Sequence, residues 1–277
     1  MLAPLGSNLP VLGAALTLDM LERHRDWVLE RQRDLELQAF HHPNVLDGDL
    51  QTEITRARKL LDGHSGRLGL HGPFWGLRLD SHDPEIRRVV QKRMLQCLDA
   101  AAALNASQMV VHSPTTTWDH NGQAATPRER EAQFERTHET LRPVVSRAEA
   151  AGVTLVIENI EDKDPAVRVA LARSFNSDRV RVSIDTGHAH YAHVATGAPP
   201  VDVYVTTAGD MLEHVHLQDT DGYADRHWHP GEGTVNFHAI FQALGRLASN
   251  PRLVLEVKDQ EGLRRGADRL VALGLAV

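Results

Sequence analysis

Nine acidic or imidazole side chains in this chain sit where an apolar run ends. His71 closes LGLHGPF, His112 closes MVVHSP and Glu158 closes VTLVIEN. Asp185 and His188 close VRVSIDTGH, His216 closes EHVHLQD and Glu256 closes RLVLEVK, while Asp225 and His227 follow in DRHWHPGEG. Carboxylate oxygen and neutral imidazole nitrogen are donors that divalent ions take at about 2.0–2.2 Å. Glu158, Asp185, His216 and Glu256 supply three carboxylates and one imidazole from four successive runs. That mixture suits Mn2+, Mg2+, Co2+ or Zn2+, with no thiolate to favour a soft metal. A single acid in such a run is as readily explained by pairing with a neighbour. Four in succession are not, because each buried carboxylate needs its own compensating partner.

Residues so far apart in sequence meet only if the ends of their strands converge, as they do at the C-terminal mouth of a parallel α/β barrel. Eight β-type runs are expected near 10–16, 34–40, 67–72, 107–113, 153–159, 179–186, 212–218 and 252–257. Several are nearly continuous apolar stretches, as parallel strands covered on both faces require. Helical patterns lie between them. DMLERHRDWVLERQR is amphipathic, and DPEIRRVVQKRMLQCLDAAAAL opens with Asp83 as N-cap and Pro84 at the first helical position. TPREREAQFERTHETLRPVVSRAEAAG stops at Gly152, a residue type that ends helices. The count, the length and the lack of a Gly-rich nucleotide fingerprint after the first strand predict α/β class, a single (β/α)8 barrel, rather than an open sheet.

Other residues carry weaker signals. Gly187 lets the chain turn between Asp185 and His188, so that both can aim at the mouth. His71 and His112 read equally well as ligands of a second ion or as partners of a substrate hydroxyl. Asp225 and His227 form an Asp-x-His pair before Gly231-Glu232-Gly233, in a loop that serves equally well as a lid. His190, His193 and His229 read as helix-face or loop histidines, and His41 and His42 as edges of a polar pocket. Phe74 and Trp75 either cover a ligand or pack under their loop. Lys258 balances the acidic site, contacts a substrate oxyanion, or pairs with Asp259 or Glu261. Lys163, Arg78 and Arg226 are candidate phosphate contacts, with ordinary surface charge as the plainer reading.

The 277 residues contain no linker or composition break, so one domain over 1–277 is expected. A formal net charge of -7 argues against nucleic acid as partner, since that affinity comes largely from Lys and Arg on phosphates. The single cysteine, Cys97, excludes an intrachain disulfide and reads as a small buried hydrophobe. Without a membrane-length apolar run or a basic signal-peptide start, a cytoplasmic protein is expected, with a homodimer as the default assembly.

Taken in order, VIEN, IDTGH, HVHLQD, the GEG loop and LEV resemble the xylose isomerase-like TIM-barrel superfamily over nearly the whole chain. That superfamily includes sugar and sugar-phosphate isomerases and epimerases and the apurinic endonucleases. The resemblance implies that Glu158, Asp185, His216 and Glu256 hold one catalytic divalent ion. In the isomerase or epimerase chemistry, Glu158 and Glu256 look like paired acid/base carboxylates, His188 orients a hydroxyl, and the substrate is a small sugar or sugar phosphate. In the hydrolase chemistry, His71, His112, His188, Asp225 and His227 join the quartet, each matching a metal position of the three-zinc apurinic endonucleases. The loop FHHPNVLDGD lacks the basic, intercalating character that grasping DNA requires. The sugar chemistry is therefore the leading expectation, with one ion rather than three. Phosphodiester hydrolysis and a related lyase or dehydratase reaction are the alternatives.

Overall fold

The computed structural model describes residues 9–123 and 127–277. Eight strands close into a parallel barrel in chain order. They are β1 (Gly13–Leu16), β2 (Leu35–Leu37), β3 (Leu68–His71), β4 (Gln108–His112), β5 (Thr154–Glu158), β6 (Val180–Asp185), β7 (Leu212–Leu217) and β8 (Arg252–Leu255). Each lies inside an expected run and is trimmed at its ends, where the ladder partners stop. The β1–β8 pairing, with Gly13 opposite Val254, seals the ring.

Alternation along the strands separates two surfaces. Leu35, Leu37, Leu70, Met109, Val111, Leu155, Ile157, Val182 and Ile184 belong to the buried apolar core. The alternate positions include Val110 and Val156 lower in the strands and the equally buried but polar Glu36, His71, Glu158, Ser183 and Asp185. The second set lines the barrel interior and the first packs under the helices, so one core holds the fold while the other collects functional groups.

The helices follow the expected signals. α1 (Leu18–Glu30) is capped by Thr17, whose hydroxyl accepts from the Met20 amide. After the short α2 (Pro43–Leu46) and α3 (Leu50–Leu60), α4 (Pro84–Ala103) starts with Asp83 accepting from the Glu85 amide. α5 (Thr117–Gln123) precedes α6 (Pro127–Ala151), which ends at Gly152 with φ +70°. The expected start of α6 at Thr126 lies outside the described residues. α7 (Pro165–Ser174), α8 (Thr186–Thr196), α9 (Val201–Ala208), α10 (Phe237–Leu244) and α11 (Leu263–Ala272) complete the outer layer. No helix among the described residues is long and apolar enough to cross a membrane.

α8 starts directly at the end of β6. Asp185 is both the last residue of the strand and the N-cap of the helix, its Oδ1 accepting from the His188 amide at 2.7 Å. Gly187 does not act as a turn between them, contrary to expectation, but lies inside the first turn of α8. Its need for glycine is steric, because a Cβ there would sit 2.1 Å from the Gln218 side chain.

Candidate metal centre

The ends of β3 to β8 bring all nine expected donors to one mouth, in three adjoining groups. Glu158, Asp185, His216 and Glu256 place one donor atom each within 4.8 Å of one another, as do His71, His112 and Glu158, and also His188, Asp225 and His227. Glu158 belongs to two groups. Its Oε1 lies 2.7 Å from His216 Nδ1, whereas its Oε2 faces His112 Nε2 at 3.6 Å and His71 Nε2 at 4.0 Å. Glu256 Oε2 approaches the same His216 nitrogen at 3.2 Å.

Backbone carbonyls fix three of the histidines. His71 Nδ1 donates to the Gly72 carbonyl at 2.9 Å, His188 Nδ1 to Asn159 at 2.9 Å and His227 Nδ1 to Glu256 at 3.2 Å. With Nδ1 engaged by the backbone, each Nε2 is the nitrogen turned toward a donor group, and it can serve a metal once any proton there is released. His188 Nε2 and His227 Nε2 meet at Asp225 Oδ1, at 3.4 and 3.0 Å. His227 adopts φ +51°, a left-handed conformation unusual for a non-glycine residue. Its amide donates to Gln218 Oε1 at 3.1 Å, which helps hold that strained backbone in place.

The charges of this cluster are strongly coupled. Burial pushes the Asp185 carboxyl up to about 6, with Glu158 and Glu256 adding repulsion. Burial would also raise Glu158, but His216, with His112 and His188 behind it, holds it well below the usual carboxylate range. Burial disfavours imidazolium at His227, yet Asp225 and Glu256 raise it to about 9. His188 and His216 are likewise driven up by their carboxylate neighbours against burial. Desolvation lowers His112 to about 3, leaving it neutral. Protons on His188, His216 and His227 thus neutralise the carboxylates.

A cavity of about 580 Å³ opens above these groups, lined among others by Gln38, Trp75, His188, Lys258 and Gln260. Asp185 and His216 lie beneath its floor, fully buried. Phe74 packs on the His112 ring at 4.4 Å, while Trp75 stands 60% exposed in the cavity wall.

A model of the xylose isomerase-like TIM barrel family matches residues 33–273. The chain belongs to that family. Among solved family-like folds, a D-tagatose 3-epimerase-like protein aligns with TM-score 0.76 at 19% identity, covering 94% of this chain and 96% of that one. The TTHB071 protein of Thermus thermophilus, in a structure soaked with ZnCl2, aligns with TM-score 0.69 at 28% identity, covering 93% and 98%. The D-psicose 3-epimerase of Ruminiclostridium cellulolyticum is 24% identical over 67% of this chain and 61% of its own length.

The residues present fit the divalent ion that a xylose isomerase-like barrel implies. Glu158 Oε2 and Asp185 Oδ2 are buried without a hydrogen-bond partner among the described residues, a costly state for carboxylate oxygens that a cation would relieve. Separations of 3.6–4.0 Å between Glu158 Oε2 and two imidazole nitrogens also suit donors that share an ion about 2 Å from each.

Several site residues were not among the expected donors. Gln218 donates to Asp185 Oδ1 at 3.0 Å and to Asp225 Oδ1 at 3.3 Å, joining two groups. Asn159 ties the ends of β5 and β6, its amide nitrogen donating to the Asp185 carbonyl and its oxygen accepting from the Asp185 amide. Gln38 donates to Glu256 Oε1 at 2.7 Å and accepts from Gln260 at 2.8 Å. Glu36 lies under His216. An acid in the middle of DLELQ, and Gln218 two residues past His216, were the available clues.

Most of the weaker candidates have local partners. His41 packs against His71 and Phe74, and His42 caps α2 by accepting from the Asn44 amide. His190 contacts Thr234, His193 the Ala198 carbonyl and His229 Asp259. Arg78 pairs with Asp80 and Asp119, and Arg226 with Asp221. Lys258 Nζ reaches the Asp225 carbonyl at 3.4 Å, while Asp259 pairs with Arg265 and Glu261 with Arg23. Cys97 is fully buried, its thiol pushed far up by desolvation.

Proposed function

We propose that this chain is a divalent-metal-dependent isomerase or epimerase of a small sugar or sugar phosphate, its 277 residues acting as one domain. The observation that carries the reading is the convergence of Glu158 and Glu256 on His216 Nδ1, at 2.7 and 3.2 Å, beneath a cavity of about 580 Å³. A cavity of this size suits a small polar molecule. The epimerases among the relatives agree with this reading.

Glu158, Asp185, His216 and Glu256 would hold the ion, which supplies charge stabilisation to adjacent carbonyl and hydroxyl oxygens of the sugar. One of Glu158 and Glu256, as carboxylate, would take the proton from the carbon beside the carbonyl; it gives that same proton to the neighbouring carbon in isomerisation, whereas in epimerisation the other carboxyl, entering the cycle protonated, gives its proton to the opposite face. The substrate keeps its electrons throughout, so no redox cofactor takes part. Gln38 orients Glu256 through its Oε1. His188 presents its imidazole to a substrate hydroxyl at the cavity wall.

A specific observation favours a second reading. Glu158 divides its oxygens between two donor groups, and His188, Asp225 and His227 form a third. A carboxylate shared in this way suits a multi-metal centre for phosphodiester hydrolysis, and it would leave Glu158 little freedom to carry protons.

Metal content and isotope exchange separate the two. The sugar reading expects about one ion per chain and solvent deuterium appearing beside the carbonyl of a ketose incubated in D2O. About three zinc ions per chain, no exchange into ketoses, and cleavage of an abasic-site oligonucleotide would assign the hydrolase instead.

A further inference from the structure

We propose that Glu36 is a positioning residue for the metal centre, holding the proton on His216 Nε2 so that Nδ1 is kept as the lone pair for the cation. The inference rests on the metal-dependent reading above but concerns a residue outside all nine expected donors. Glu36 lies in the middle of β2 and is 3% exposed. Both its oxygens lie 3.2 Å from His216 Nε2. The opposite nitrogen, Nδ1, is the one that Glu158 and Glu256 approach. The ring is therefore held between two acidic sides, with a different task at each nitrogen.

Glu36 also faces His214. Its Oε2 is 3.3 Å from His214 Nε2, within ion-pair reach but outside hydrogen-bond geometry, and His214 Nδ1 is bonded to the Ser183 hydroxyl at 2.9 Å. The two imidazole rings stand nearly perpendicular, at 88° with centroids 4.5 Å apart. β2 and β7 are not ladder neighbours, so this contact crosses the barrel interior. Ala15, a small residue, is the register partner of Glu36 on β1.

Burying a carboxylate here is costly unless its partners repay the lost solvation, and a ligand imidazole is such a partner. A carboxylate on the far nitrogen selects the tautomer, aligns the ring and makes the near nitrogen a better donor. Glu36, His214 and His216 also place donor atoms within 4.8 Å of one another, so an ion below the floor is the competing arrangement. That ion would occupy His216 Nε2, whereas Glu36 as positioning residue requires a proton there.

Long-range 1H–15N spectra of the 15N-histidine-labelled protein loaded with Zn2+ test this directly, with His216 identified by the signals lost in His216→Gln. Nε2 protonated and Nδ1 bound to the ion is the expected result. A proton on Nδ1, or the ion on Nε2, overturns the proposal. Zn2+ titrations of Glu36→Gln and Glu36→Leu add a second measure. Gln still accepts from Nε2–H and should retain most of the affinity, whereas Leu should lose roughly 10–100-fold. Wild-type affinity in a folded Glu36→Leu protein also overturns the proposal. If Glu36→Leu does not fold, the spectra of the wild-type protein decide alone. Wild-type protein that takes up no Zn2+ refutes the metal-dependent reading along with this one.

Discussion

Glu158 faces two donor groups with its two oxygens, and that division makes it the residue on which both proposed chemistries turn. Replacing it with Gln preserves volume but removes the charge and the second equivalent oxygen. Glu158→Gln is expected to lower kcat by roughly 10²–10⁴-fold, the range for loss of a positioned acid or base, with little change in the circular dichroism spectrum. A folded variant with wild-type turnover in saturating metal would remove Glu158 from catalysis. The donors themselves were legible in the sequence because each is a charged or imidazole group interrupting an apolar run. Their support was less legible. Gln218, Asn159 and Gln38 are uncharged amides whose importance comes from contacts across the barrel mouth, and residue type alone does not reveal such contacts.

The strand ends aim these residues, and the join between β6 and α8 is the tightest case. Asp185 caps α8 with Oδ1 while Oδ2 remains buried and without a hydrogen-bond partner among the described residues. Capping therefore orients the carboxylate that the proposed ion needs. Gly187 permits this by letting the Gln218 amide occupy the space a side chain would take. Gly187→Ala is expected to displace Gln218, free Asp185 and Asp225, and weaken Zn2+ binding by about 10–100-fold, as for other losses of ligand support. Calorimetric titration of the variant would show it, and unchanged affinity would mean that Gln218 adapts without disturbing the ligands. Strand order and helix caps could be read from periodicity and from Asp83-Pro84, since both depend on neighbours in sequence. The steric role of Gly187 could not, because its constraint comes from a residue 31 positions later.

For the molecule as a whole, the barrel concentrates acidic groups at one end and compensates them with imidazolium. That compensation depends on pH. His227 is raised to about 9 from an ordinary value near 6.5, and raised imidazoles contribute stability that is complete below the unfolded value and lost as pH rises through the folded one. His188 and His216 shift in the same direction, whereas histidines lowered by burial, such as His112 and His41, act below this window. The chelator-treated protein should therefore lose Tm between about pH 6.5 and 9.5. Added metal should raise Tm most at the alkaline end, where protons no longer compete for the nitrogens. Differential scanning calorimetry with and without Mn2+ or Zn2+ tests both statements. A chelated protein whose Tm is flat or rises with pH would contradict the charge compensation described for this site.

The most direct test of the shared cation is anomalous diffraction at the manganese or zinc edge from metal-soaked crystals. A peak about 2.0–2.2 Å from donor atoms of Glu158, Asp185, His216 and Glu256 together is the predicted result. Well-ordered side chains at those four positions with no peak among them, in crystals soaked at saturating metal, would contradict it.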